Sequence, residues 1–335
     1  MNQLTISELL RGCSLGRMQT SGLMQVLPLI SDLEDDRLVS PVHAGRMKTT
    51  NYGVMNFTND SEKTMLIPSN ATYLVKQKSQ DHSMAGAGLV KGRGRAVYEN
   101  AMCVQETQGG YISESNYQMT LLPFALREAS YNVRDETYQC GKLWGNISSL
   151  LNETRSGRGG HLHQFMDAFE KELDQFVAEF ECLPKQVGAI VLINGTVVGI
   201  ERAPSYQYFK DLWQPLIREC YGSEAVRVSI EGKKKESIVN DVRSVSSLLD
   251  LKEALVEARS KDEDDARGIV RDLLTLPFKV SMDAVAKEFK LSSVEQDQFV
   301  GQVVQEDAQV HYVSIISKRT WNSNSKWSKA NAFTL

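Results

Sequence analysis

Apolar and polar positions alternate between two rhythms along this chain. The run Leu23–Ile30 is nearly continuous in apolar residues and predicts a first strand, preceded by a short amphipathic helix over Ile6–Arg11. Tyr52–Phe57 and Thr64–Pro68, separated by NDSEK, predict a hairpin, and Ala71–Val75 continues it. After Tyr138 the period lengthens. Leu143, Ile147, Leu150 and Leu151 recur at helical spacing, and Phe165, Phe169, Leu173, Phe176 and Phe180 predict a long second helix with Glu170, Lys171, Glu172, Asp174 and Glu179 on its solvated face. VGAIVLI and TVVGIE flank Asn194-Gly195, the pair that suits a type I′ turn, and a helix over Ser205–Tyr221 follows with Phe209, Trp213, Leu216 and Ile217 facing the sheet.

EGKKKE at Glu231–Glu236 marks a charged break. Beyond it, Ser247–Ala258, Asp265–Leu276, Met282–Phe289 and Val294–Glu306 all read as helices, the last three with a helix-turn-helix rhythm around Lys290–Ser293. The expected class is α+β: a β-rich N-terminal half with long packing helices and a hairpin-helix closing unit, plus a small all-helical C-terminal module. The expected boundaries are 1–230 for the main domain, 231–245 for a linker and 246–335 for the helical module with its basic and aromatic tail.

At 335 residues, with 41% hydrophobic and 24% charged positions, the chain has ample material for a core. No apolar run reaches spanning length, and Glu8, Arg11 and Arg17 break any signal-peptide core, so the expected location is cytoplasmic. A net charge of -4 gives no global attraction to phosphate backbones. The five cysteines, Cys13, Cys103, Cys140, Cys182 and Cys220, are odd in number and widely spaced; they read as reduced thiols without a metal motif. The sequons at Asn56, Asn59, Asn70, Asn146, Asn152 and Asn194 read as chance, since glycosylation requires secretion.

Candidate chemistry is local. Met84–Arg95 (MAGAGLVKGRGR) combines glycines with Lys91, Arg93 and Arg95; it reads as a surface loop, with phosphate or nucleic-acid contact as the alternative. RSGRGGHLHQ places Arg155 and Arg158 beside His161 and His163 ahead of a helix, a linker that could also meet an anion. Cys103 lies in an apparent strand and reads as a structural thiol; no GxSxG or HExxH motif occurs. Trp144 and Trp213 read as core anchors. Trp321 and Trp327, interleaved with Lys318, Arg319, Lys326 and Lys329, pack on the helical module or contact single-stranded nucleic acid or a protein groove.

QVGAIVLINGTVVGIERAPSYQYFKDLWQPLIRECYGSEA resembles the closing part of the ADP-ribosylglycohydrolase- and rhodanese-phosphatase-associated protein domain family. LLRGCSLGRMQTSGLMQVLPLI resembles that family's opening, AMCVQE its cysteine strand and QCGKLWGNI its helix start, over Leu9–Ala225 in all. The resemblance implies a role with NAD or ADP-ribose conjugates. The family's acidic Gly-Glu pair is replaced here, in MLIPSNATYLVKQKSQDHSM, by Pro68, Ser69 and Asn70, while Lys78, Gln80 and Asp81 keep the second part of the motif. A carboxylate base has no equivalent in Asn or Ser, so the leading expectation is a non-catalytic binding protein for a nucleotide-like anion. Gln80, Lys91, Arg93, Arg95, Arg155 and Arg158 would bind it, with no cofactor and no metal. The alternative is an ADP-ribose hydrolase or transferase using Asp81 as base and His82 or His163 as acid. WSKANAFTL resembles phage-encoded proteins, which adds a third expectation, an assembly protein acting through self-association or a protein partner.

Overall fold

Residues that are apolar at both odd and even positions cannot face water on either side, and such runs pair into one large sheet covered on both faces. The computed structural model describes residues 3–75, 81–106, 109–112, 117–137, 140–231 and 248–318. Among them, a ten-stranded antiparallel sheet runs in the order Gln3–Thr5, Pro277–Ala286, Phe289–Glu295, Phe299–Glu306, Gln309–Ser317, Thr196–Arg202, Gln186–Ile193, Met24–Ile30 and Ser14–Leu15, with Gln19–Ser21 also pairing with Met24–Ile30. Its centre is the Asn194-Gly195 hairpin, whose two turn residues have φ of 52° and 71°, as a type I′ turn requires.

The two faces carry separate cores. Val300, Val304, Tyr312 and Ile316 pack with Phe209, Trp213 and Tyr221 on one side; Phe299, Val303, Val313 and Ile315 pack with Ala266 and Val270 on the other. The first side is covered by Tyr206–Pro215, capped by the Ser205 hydroxyl accepting from the Tyr208 amide, which runs through Leu216–Gly222 into Ser223–Ile230. The second is covered by Ile6–Leu9 and by one helix, Leu248–Leu273. Ser7 donates its amide to the Leu274 carbonyl at 2.9 Å, so the N-terminus is fastened directly to the end of that helix.

The all-helical C-terminal module is corrected. One helix stands where two short ones were expected, and Met282–Phe289 and Val294–Glu306 fall in the four strands that follow it. Phe299, Val300, Val303 and Val304 have helical spacing only because a doubly covered strand buries adjacent residues on opposite faces, and periodicity cannot separate that from a helix. Thr196–Arg202 pairs with Gln309–Ser317, so the sheet is continuous across the expected boundary. The break at 232–247 and the tail from 319 onward, with Trp321 and Trp327, lie outside the described residues.

Three smaller sheets sit beside the large one. Thr64–Ile67 pairs with Gly88–Val90 and Leu38–Val39, whereas Val54–Asn59 pairs with Gly45–Asn51 and Arg95–Tyr98. The hairpin expected across NDSEK is therefore replaced by one that turns at Tyr52-Gly53, where Gly53 takes φ of 76°. The third sheet, Met102–Cys103, His82–Ser83, Ala71–Leu74 and Gln118–Leu121, carries the candidate site. The expected long phenylalanine helix is two helices, Leu162–Ala168 and Glu170–Glu179, broken at Phe169.

Candidate functional site

Strand pairing brings together three segments far apart in sequence. The Val104 amide donates to the Asp81 carbonyl at 3.0 Å, the Leu162 amide donates to the Val104 carbonyl at 3.0 Å, and Gln105 forms a bridge with His161. Val104–Glu106 is thus a spine, with Asp81 on one side and the Gly160–Leu162 backbone on the other. Glu106 locks the second contact twice: its amide donates to the Gly160 carbonyl at 3.0 Å, and its carboxylate accepts the Gly160 amide at 2.8 Å.

Side chains extend this spine into a relay. Asp81 is buried; its carboxylate accepts the Val75 amide at 2.7 Å and the Gln105 side-chain amide at 3.2 Å. The Gln105 carbonyl oxygen then faces Nδ1 of His163 at 2.7 Å. An ionised carboxylate only accepts, so Gln105 must turn its NH2 to Asp81 and its oxygen to His163, which fixes the proton on Nδ1. In the neutral ring the acceptor nitrogen is therefore Nε2, on an exposed side chain. Burial pushes the Asp81 carboxyl above the usual range, and the Val75 and Gln105 hydrogen bonds and the His163 charge offset part of that rise.

Asp81 and His163 thus meet through Gln105, a residue the sequence reading passed over. Asp81 is buried and reaches His163 only through Gln105, whereas the imidazole is exposed. His82 is the next residue along the strand but points elsewhere, with Nε2 3.2 Å from the Gly53 amide and 3.4 Å from the Cys103 sulfur. Cys103 is not a reduced thiol but is joined to Cys140, with Cα atoms 5.0 Å apart; the Cys103 amide also donates to the Cys140 carbonyl at 2.8 Å, an approach invisible in the cysteine spacing.

Arg155 and Arg158 lie on the loop that leads into Gly160. Both are exposed on the loop between Trp144–Thr154 and Leu162–Ala168, Arg155 in the left-handed region at φ 55° and Gly159 at φ 79°. The Arg158 amide donates to Gln164 at 2.9 Å. Gly160 is fixed between Trp144 and Glu106, where a Cβ would strike the indole. The following helix is only seven residues long, so charge at this point comes from the arginines rather than from a helix end.

Lys91, Arg93 and Arg95 lie on another surface. Arg93 pairs with Glu62 at 2.8 Å, and Asp60 is held low first by Arg46 and further by Arg93 and Arg95. The glycines there do not form a cradle. Cβ atoms at Gly86, Gly88 and Gly92 would meet Gln302, Tyr98 and the Glu62 backbone, and Gly88–Val90 is a buried strand. The surface-loop reading of Met84–Arg95 is corrected for its first part, Met84–Val90, which is buried and ends in that strand. Gln80 lies outside the described residues.

Two further polar clusters gave no sequence signal. Asp35, Arg37, Glu306 and His311 join the start of the chain to its last strands; burial pushes Asp35 up, but Arg37 donating at 2.6 Å holds it low overall. In the core, Arg127 contacts Glu201, Tyr221, Ser314 and Asn70. Asn70, one of the residues standing where the family's acidic pair is expected, therefore serves this network.

Fold and site define an α+β domain with one large antiparallel sheet and a polar relay on a smaller one. The chain belongs to the ARG and Rhodanese-Phosphatase-superfamily-associated Protein domain family (ARPP-1), whose model matches residues 12–315. The match extends through the C-terminal strands, well past the Ala225 limit of the resemblance read from sequence. No curated protein and no solved structure matches the chain.

Proposed function

We propose that this protein binds a nucleotide-like anion related to ADP-ribose beside His163. The observation that carries the reading is the pinning of the Arg155–Arg158 loop, through the paired Glu106–Gly160 contacts, next to the Asp81–Gln105–His163 relay. Arginine forks suit phosphate oxygens, and an imidazole with a defined acceptor nitrogen suits a ribose hydroxyl. Family membership, with its association with the ADP-ribosylglycohydrolase and rhodanese-phosphatase superfamilies, supports this ligand class. Lys91, Arg93 and Arg95 are left out of the site: Arg93 pairs with Glu62, Arg93 and Arg95 act on Asp60, and Lys91 closes the turn that carries them.

Calorimetric titration with ADP-ribose, NAD and AMP tests the reading. ADP-ribose should bind to the wild type, and Arg155→Ala/Arg158→Ala should weaken it at least tenfold with an unchanged melting temperature. Equal affinity in the double variant, or no binding of any of the three, rejects it.

A second reading has its own support. A buried carboxylate orienting an imidazole is also the arrangement of a general base, which fits a hydrolase or transferase acting on ADP-ribose conjugates. Turnover of such a conjugate by the wild type, lost in His163→Ala with binding retained, would select it; binding without turnover would leave the non-catalytic reading.

A further inference from the structure

Behind the relay, a ring nitrogen of His82 and the sulfurs of Cys103, on the neighbouring strand, and Cys140, in a turn, all lie within 4.8 Å of one another. We infer that these three residues form a redox-gated zinc site, closed as the Cys103–Cys140 disulfide when oxidised and open to Zn2+ when reduced. The inference does not depend on the proposed ligand.

The backbone positions the trio independently of the sulfur–sulfur bond. His82 and Cys103 are register partners in adjacent antiparallel strands, and the Cys103 amide donates to the Cys140 carbonyl at 2.8 Å. The Gly53 amide points at Nε2 of His82 from 3.2 Å, which makes that nitrogen an acceptor, and the Cys103 sulfur lies 3.4 Å from the same nitrogen. A metal would take over the lone pair that Gly53 now meets. His82 and Cys103 are fully buried and Cys140 is half-buried, so solvent reaches the cluster from the Cys140 side.

The chemistry balances with a dithiol reductant. Two electrons and two protons convert the disulfide to two thiols while the reductant becomes a disulfide, and Zn2+ then binds two thiolates and the imidazole as the two thiol protons leave to solvent. Two thiolates and one imidazole form a donor set suited to zinc, with the fourth tetrahedral position open to water. The sulfurs must part to about 3.8 Å, the separation set by two Zn–S bonds at the tetrahedral angle. Rotation of the half-buried Cys140 side chain can supply that movement. Among the described residues, the other cluster with ligand-like geometry, Asp35, Glu306 and His311, already has Arg37 as its cation.

The test uses the full chain with Co2+ as probe, in phosphine-reduced and oxidised forms under nitrogen. The reduced wild type should take up one equivalent with a thiolate-to-cobalt charge-transfer band and tetrahedral visible bands, which Zn2+ abolishes; the oxidised chain should show neither. Cys140→Ser and His82→Asn should lose the thiolate spectrum or alter it, while Cys13→Ser and Cys182→Ser keep it. The reduced-versus-oxidised comparison is made on one sequence and so stands even if a variant fails to fold. A reduced wild type without the charge-transfer band, or a band unchanged in Cys140→Ser, overturns the proposal.

Discussion

The guanidinium of Arg127 meets the carboxylate of Glu201 at 2.7 Å, with both side chains less than a tenth exposed. The pair joins Phe124–Asn132 to the central hairpin, and the Tyr221 hydroxyl donates to the same carboxylate at 2.6 Å. Removing one partner strands the other charge in a low-dielectric core. Arg127→Met should therefore cost about 3–5 kcal/mol in urea unfolding, and adding Glu201→Leu should recover a large part of it. Additive losses in the double variant would show that the two charges act independently.

The same network makes a glycine indispensable. A Cβ on Gly199 would collide with the Tyr221 hydroxyl, which is also held by Glu201. Gly199→Ala should destabilise by about 1–3 kcal/mol through overpacking. The expected readout is a lower melting temperature, whereas the exposed turn position Gly22, at φ 54° with nothing within 4 Å of a Cβ, should respond to Ala only through backbone strain.

Asp81 gives a pH signature. Burial raises its folded pKa, so its contribution is fully present below the ordinary carboxylate value of about 4 and is lost as pH rises through the raised value. Thermal unfolding across that interval should show a falling component that Asp81→Asn removes. An identical pH profile in the variant would refute the assignment.

Reduction of Cys103–Cys140 should also be measurable. The bridge spans a sequence separation of 37, and opening it in metal-free protein should cost about 2–4 kcal/mol. Denaturation with and without phosphine measures this, with Cys140→Ser as the permanently open form; no difference would mean that the segments hold their positions without the bond.

Sequence alone determined the local elements whose signals need no partner. Asn194-Gly195 dictates its hairpin, Ser205 caps its helix, and the apolar spacing of Leu143, Ile147, Leu150 and Leu151 sets the helix that buries them. The class and the family were legible for the same reason. What tertiary structure decided were the choices that local pattern leaves degenerate. Val294–Glu306 could satisfy its apolar residues as a helix or as doubly covered strands, and the neighbouring strand Gln309–Ser317, with the hairpin beyond it, settled the matter by completing a sheet. Gln105 had no signal at all, because its role depends on Asp81 and His163 arriving on opposite sides of one backbone. Cys103 and Cys140 were read as separate thiols because spacing along a chain does not report which strand and turn the fold brings together.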